Sequence, residues 1–447
     1  MKVTIRLVFF LSVSILLNSC ITVDTDFQGL PPGRWRAYLS LDNRPKIVNK
    51  KAEPLPELMG LKFEEVLDGE LPFNFELIYD TDTDFHIEII NGEERIRVDD
   101  ITIGLDRATA KDTVTINFPL YETYIKAIFE ERIMEGVWVV PSRGNYEIPF
   151  VARHGEGHRF STLKKEPVMD ISGKWEVQFL DKDEPYPAIG EFKQEGNYLE
   201  GTFRTETGDY RYLEGEIQDN KVYLSVFDGA HAFLYEAKIL EDQTMIGSFR
   251  SGKHYKVVWE AKKNDDVQLS DPNELTFLKE GYDKIEFTFP NTAGEMVSLD
   301  DSKYQGKAKI IQIFGTWCPN CRDETNFLVD YLNKNNHPDL EVIGLAFEKY
   351  RELDKATATV KRYKEKLNIP YEMLVAGYYN KKEAANALPM LNHILSYPTM
   401  IFIDKNNQVK KIHTGFNGPA TSAYENFIKE FEETVASLTV ENDQPLR

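Results

Sequence analysis

Hydrophobic and polar positions change their rhythm once along this chain, near residue 264. From Gly33 to about Lys263, apolar and polar residues alternate in short runs such as Phe73-Asn-Phe-Glu-Leu-Ile-Tyr79, Phe85-His-Ile-Glu-Ile-Ile90, Ile189-Gly-Glu-Phe-Lys-Gln194 and Val222-Tyr-Leu-Ser-Val-Phe227. A period of two sends alternate side chains to opposite faces of a strand. Asn91-Gly92 and Glu195-Gly-Asn197 supply turns between the runs, so this half predicts antiparallel hairpins. Beyond residue 274 the pattern lengthens. Ile285 to Leu299 predicts a hairpin around Ala293-Gly294, and the nearly continuous apolar runs Lys309 to Phe314 and Val342 to Ala346 predict strands buried on both faces. Between those strands Phe327, Leu328, Tyr331 and Leu332 recur at helical spacing over about Arg322 to Asn333. Helical stretches follow at about Leu353 to Leu367, Lys381 to Leu388 and Ser422 to Leu438, with strands at Met373 to Val375, Ser396 to Ile403 and Val409 to His413.

These rhythms divide the chain into two β-rich units, 20–165 and 166–263, a polar linker at 264–274 and an α/β domain at 275–447. The β units look duplicated: Gly33-Arg-Trp-Arg36 is echoed by Gly173-Lys-Trp-Glu176, and Met134-Glu-Gly136 by Met245-Ile-Gly247. The simplest architecture for the β half is a pair of small antiparallel barrels or sandwiches, similar in strand spacing to lipocalins, because closure hides strand edges. That similarity implies a shape and no ligand. His154-Gly-Glu-Gly-His158 carries metal-ligand side chains, but its glycines make it a loop rather than a helical metal motif. Phe203, Tyr210, Tyr212 and Tyr223 fit core and cross-strand packing better than a ligand pocket.

The N-terminus adds a compartment. Lys2 and Arg6 precede the apolar run Leu7 to Leu17, which is short for a membrane span and reads as a signal peptide over 1–19. Leu17-Asn-Ser-Cys20 resembles a bacterial lipobox, which implies that Cys20 is lipidated and ties the chain to a membrane of the cell envelope, with the α/β domain facing the periplasm or the cell surface. A net charge of −20 argues against nucleic acid or anionic lipid as a partner. The chain has three cysteines, so with Cys20 assigned only Cys318 and Cys321 remain.

Those two lie in Ile310-Ile-Gln-Ile-Phe-Gly-Thr-Trp-Cys-Pro-Asn-Cys-Arg-Asp-Glu324, a buried strand running through a tight turn into a helix. A sulfur at a helix N-terminus meets unpaired N–H groups and the positive end of the helix dipole, which favour its thiolate. Cys318 is therefore the expected nucleophile, and Cys321 the thiol that resolves a mixed disulfide. The same spacing serves half a zinc site, but no second cysteine pair completes one. The flanking strand and helix, Trp317 and the downstream Tyr397-Pro398-Thr399 favour a redox pair that needs neither metal nor cofactor.

On these residues, about 275 to 437 resembles the membrane-tethered, extracytoplasmic thioredoxin-like proteins of the TlpA and ResA type. The resemblance implies a thioredoxin-like fold with an inserted helix and strand, and it makes Pro398 the cis-proline facing the thiols. Trp317, Pro319, Tyr397 and Pro398 become client contacts, and Glu324 a carboxylate able to take the proton of Cys321. It implies a client carrying a disulfide or dithiol and, for a reducing protein in an oxidising compartment, a membrane partner that supplies electrons. Two departures stand out. Gln312 replaces the buried aspartate of ordinary thioredoxins, which shifts proton handling toward Glu324, and Asn326 replaces a helix proline. His393 reads as a surface residue. A thiol peroxidase would want a proline where Ile310 stands. The reading from another class is a binding lipoprotein whose β domains hold a client or glycan.

Overall fold

The computed structural model describes residues 29–42, 66–144 and 146–439. The leader 1–19 and Cys20 lie outside them. The chain divides into a unit of residues 1–31, of which only the bend at Gly29–Pro31 is described, and a unit of residues 32–447 that holds everything below.

The first sheet has nine antiparallel strands, from Gly33–Ser40 to Tyr146–His154, and the first strand pairs with both Glu70–Tyr79 and the last. Its neighbours in sequence Glu94–Val98 and Ile101–Asp106 do not pair, so this sheet is an open barrel. The second sheet closes. Gly173–Phe179 pairs with Tyr186–Glu195 and with Tyr255–Lys263, and Tyr186–Glu195 pairs onward with Tyr198–Thr205, which makes an eight-stranded barrel with the short strand Gly208–Asp209 folded back at its rim. The expected all-β half is present, with one barrel closed and one open. A physical reason for the difference sits in the first sheet's concave face. Phe227 of the closed barrel enters it, with ring centroids 4.5 Å from Phe73, 5.3 Å from Trp138 and 5.7 Å from Phe118, so part of that core is filled from outside.

The register bears on the duplication. Met134 faces Ala152, which faces Ala37, two residues beyond the buried Trp35. Met245 faces Ala261, which faces Val177, two residues beyond the buried Trp175. Gly33 and Gly173 open their strands at φ of 102° and 104°, a left-handed conformation that favours glycine. The echoed motifs therefore occupy matching places in the two sheets. The loop after His154 is anchored rather than loose: the buried Arg159 donates to Ser225 Oγ, Ser225 O, Ile90 O and Asn91 Oδ1 at 2.9 to 3.2 Å.

The C-terminal domain is thioredoxin-like. Its five-stranded sheet runs in the order Glu372–Tyr378, Leu340–Glu348, Ala308–Phe314, Thr399–Ile403, Val409–Thr414, the first three parallel and the last two antiparallel. The hairpin Thr288–Pro290 and Met296–Ser298 precedes it. The helices are α1 (Pro319–Lys334), α2 (Leu353–Lys366), α3 (Lys381–Ala387) and α4 (Tyr424–Thr439). Every residue of Ala308–Phe314 is buried, as its apolar run requires, and the strand delivers the chain to α1 at the carboxyl edge of the sheet. Residues 264–274 are held down as well: Asp265 accepts from Lys174 N and Asn273 meets His413.

Candidate active site

Gly315-Thr-Trp-Cys318 turns from the central strand into α1, and Cys318 is the N-cap of that helix. Its Sγ accepts the Cys321 N–H at 3.2 Å, the job a serine or aspartate oxygen does at other caps. Across the turn the Cys318 thiol lies 3.5 Å from the Tyr397 carbonyl oxygen, and the Tyr397–Pro398 peptide is cis. Trp317 sits edge-on to Tyr397, its Nε1 donating to the Phe347 carbonyl at 2.9 Å. Pro319 is buried at the first helical position, where its missing N–H is no loss. The structure thus brings Trp317, Cys318, Pro319, Cys321, Tyr397 and Pro398 together, while Cys20 lies outside the described residues.

Both thiols are free and buried, Cys321 completely. Burial, reinforced by the adjacent Cys318, pushes the Cys321 thiol well above the usual range, so it waits protonated. Attack by Cys321 then needs a base, and Glu324 lies one helical turn on, also fully buried. Burial raises its carboxyl to about 8, against a bond from Gln312 Nε2 to Oε2 at 2.9 Å that lowers it, and Oε1 has no hydrogen-bond partner. Gln312, in the place of the aspartate of ordinary thioredoxins, therefore holds the Glu324 carboxyl. It is held in turn by Tyr371 OH at 3.1 Å and by Thr325.

A second acid escaped the sequence reading. Glu348 ends the strand beside the central one, buried, accepting from Thr316 N at 3.0 Å and Thr316 Oγ1 at 2.9 Å, with its carboxyl raised by burial to about 7. A signal existed: an acid directly after an apolar strand, at the same sheet edge as the thiols. Lys349 beside it lies 5.5 Å over the Trp317 ring. His393 is exposed, as expected. His154 meets Arg132 and the Pro32 carbonyl instead of joining His158 at a metal site. Among the described residues the metal-type cluster is Asp80, His86 and Asp99, and Arg97 reaches all three.

Nothing local in the sequence predicted that the β half would wall this site. Arg211 of the closed barrel is buried between Asp323 of α1, Glu94 of the first sheet and Asp228 of the barrel itself. Arg322 reaches Tyr121 at 3.3 Å, and Glu122 accepts from Tyr350 and Arg362. Burial raises Asp323 to about 6 even beside Arg211.

Comparison with known proteins singles out the same region. Residues 281–412 match the AhpC/TSA family. Thioredoxin-like protein YneN of Bacillus subtilis is 26% identical over 138 residues, 31% of this chain and 73% of that protein. Thiol-disulfide oxidoreductase ResA of Halalkalibacterium halodurans is 21% identical over 162 residues, 36% of this chain and 80% of that protein. Thiol:disulfide interchange protein DsbE of Vibrio cholerae is 26% identical over 145 residues, 32% of this chain and 70% of that protein. Among solved structures, a thioredoxin family thiol:disulfide interchange protein from Chlorobium tepidum TLS is 22% identical, covering 36% of this chain and 99% of its own, with a TM-score of 0.28. The C-terminal third is accordingly a thioredoxin-like domain similar to thiol-disulfide oxidoreductases.

Proposed function

We propose that this chain is a thiol-disulfide oxidoreductase that reduces client disulfides through Cys318 and Cys321, anchored to a bacterial envelope membrane by a lipid on Cys20. The observation that carries the chemistry is the Cys318 sulfur at the α1 cap, accepting the Cys321 N–H and facing the Tyr397 carbonyl. Cys318 thiolate attacks a client sulfur, forming a mixed disulfide and expelling the other client sulfur, which takes up a proton. Cys321 gives its proton to the Glu324 carboxylate and attacks Cys318. The second client thiol leaves, and two electrons have passed from the pair to the client. A group with a pKa near 8 suits that transfer, because its proton affinity lies close to that of a thiol near neutral pH. The reducing direction rests on the resemblance to ResA-type proteins, and it calls for a membrane electron donor to restore the dithiol. The rival reading, a β domain that holds a ligand, is weakened by the barrel interior, which is packed with Phe179, Phe203, Tyr235, Phe249 and Trp259.

Cys321→Ser in the full chain tests the redox reading. It should accumulate clients disulfide-linked to Cys318, released by reductant and absent when Cys318 is also replaced. No linked species in cells, with the variant folded and abundant, would overturn it.

A further inference from the structure

Cys318 is only 7% exposed, and part of its cover comes from the β half. The rim turn Thr205–Tyr210 of the closed barrel lies over the start of α1. Asn320 Nδ2 donates to the Asp209 carbonyl at 2.9 Å, Ser396 Oγ to the Thr207 carbonyl at 2.7 Å, and Gly418 N to Asp209 Oδ2 at 2.6 Å. Gly208, at φ 135°, passes so near Asn320 that a Cβ would collide with its amide. What remains at the sulfur is a chamber of about 240 Å³, lined by Tyr210, His231 and Phe233 of the barrel and by Trp317, Cys318 and Tyr397.

A second chamber of about 290 Å³ shares His231 and Trp317 with the first. Its character differs. Tyr121, Thr123 and Ser142 line it, together with the cations Arg143 and Lys349, and no carboxylate residue does. The acids nearby are occupied: Glu348 by Thr316, Glu122 by Tyr350 and Arg362. Lys349 and Arg143 are paired with no carboxylate among the described residues; Lys349 lies over the Trp317 ring, and Arg143 meets the His254 ring and lies 5.6 Å over the Tyr146 ring. Burial and the neighbouring Arg143 lower the Lys349 pKa, and Glu348, Glu122 and Cys318 offset them only in part, so an anion between the two cations would favour the charged lysine.

We propose that the substrate is a slender acidic disulfide, its sulfur in the first chamber against Cys318 and its carboxylate in the second between Lys349 and Arg143. This rests on the redox reading of the Cys318–Cys321 pair. With Cys318 only 7% exposed beneath the barrel rim, a narrow substrate fits the sulfur better than a folded domain does. The two chambers together fall in the range of about 300 to 1,000 Å³ of small-molecule sites, which suits either a low-molecular-weight disulfide or an extended acidic segment. In one turnover the dithiol becomes a disulfide and the substrate disulfide becomes two thiols, so a pre-reduced chain needs no other reductant.

The test is single-turnover oxidation of the full, pre-reduced chain by four disulfides: oxidised glutathione, an acidic linear peptide dimerised through one cysteine, neutral hydroxyethyl disulfide, and folded insulin. Each rate is divided by that disulfide's rate with dithiothreitol. The normalised rate for oxidised glutathione or the linear peptide should exceed those for hydroxyethyl disulfide and insulin. Whichever of the two is faster identifies the source, a free small molecule or a chain segment. Lys349→Gln should cut the acidic-to-neutral ratio about tenfold, the loss expected for one charge-assisted contact. Arg143→Gln, at the exposed rim, serves the same purpose should Lys349→Gln fail to fold. Insulin reacting as fast as the slender acidic probes, or a ratio unmoved by either substitution, would overturn the proposal while leaving the redox reading intact. Failure of all four to oxidise the pair would instead overturn the redox reading on which it rests.

Discussion

Glu324→Gln is the perturbation whose size the structure fixes best. The carboxyl is fully buried, one oxygen accepts from Gln312 and the other has no partner, and burial lifts its pKa from 4.5 to about 8. Between those values the unfolded chain has lost a proton that the folded chain keeps. The folded state thus binds more protons, and stability falls as pH rises from 4.5 to about 8, then levels off. At pH 7 the penalty is about 3 kcal/mol, from roughly 1.4 kcal/mol per pH unit over about 2.5 units. Glutamine does not titrate. Its amide adds an unpaired buried donor that costs roughly 1–3 kcal/mol at every pH, which offsets the curve without tilting it. The difference in unfolding free energy between variant and native chain should therefore move by about 3 kcal/mol in the variant's favour from pH 4.5 to pH 7. Urea unfolding of the reduced chain across that range, with alkylation of the buried Cys321 reporting the opening of this domain, measures it. The same variant should lose any inflection near pH 8 in the release of the second client thiol. Parallel stability curves would mean that Glu324 keeps an ordinary carboxyl pKa in the folded chain, too weak a base to take a thiol's proton, and the assigned acceptor would have to be abandoned.

Arg211→Ala removes the guanidinium shared by Asp323, Glu94 and Asp228; it should destabilise the chain by about 3–5 kcal/mol in urea, as leaving buried charges unpaired does. The loss should grow as pH rises through 6, since the remaining acids escape only by taking up protons, and a loss that ignored pH would refute the arrangement. Cys20→Ser should move the chain from the membrane fraction to the soluble one, and a variant still membrane-bound would dispose of the lipid anchor.

The chemistry was legible in the sequence because its causes are local. An apolar strand followed by Trp-Cys-Pro-Asn-Cys fixes a turn, a cap and a helix within a few residues, and the structure places Cys318 and Cys321 accordingly. Strand alternation likewise announced the β half, and the Gly-x-Trp and Met-x-Gly echoes pointed to positions that share one register. What the sequence hid depends on distant partners. The first sheet's open edge goes with Phe227, which comes from the other sheet. The cluster at Arg211 joins acids at 94, 228 and 323, each unremarkable where it stands. Gln312 was visible as a departure, yet its role required seeing that its amide reaches Glu324.

The same geometry explains why the dithiol needs its own acids. Packing the Thr205–Tyr210 rim over α1 helps keep water from Cys318, and a site short of water cannot lend or collect protons freely. Glu324 lies behind the thiols, held by a glutamine amide, and Glu348 lies beyond Thr316, held by a backbone N–H and a hydroxyl. Burial alone would push both far into the neutral range; the bonds they accept oppose it and leave them at about 8 and about 7. Each acid is thus poised to change charge near neutral pH, on either side of a sulfur pair that must shed and regain protons in every cycle. The cover and the carboxyls divide the work: the rim of the β half shields Cys318, while Glu324 is held by Gln312 and Glu348 by Thr316 inside the C-terminal domain itself, so stripping away the β half should open the sulfur to solvent before it lowers either acid.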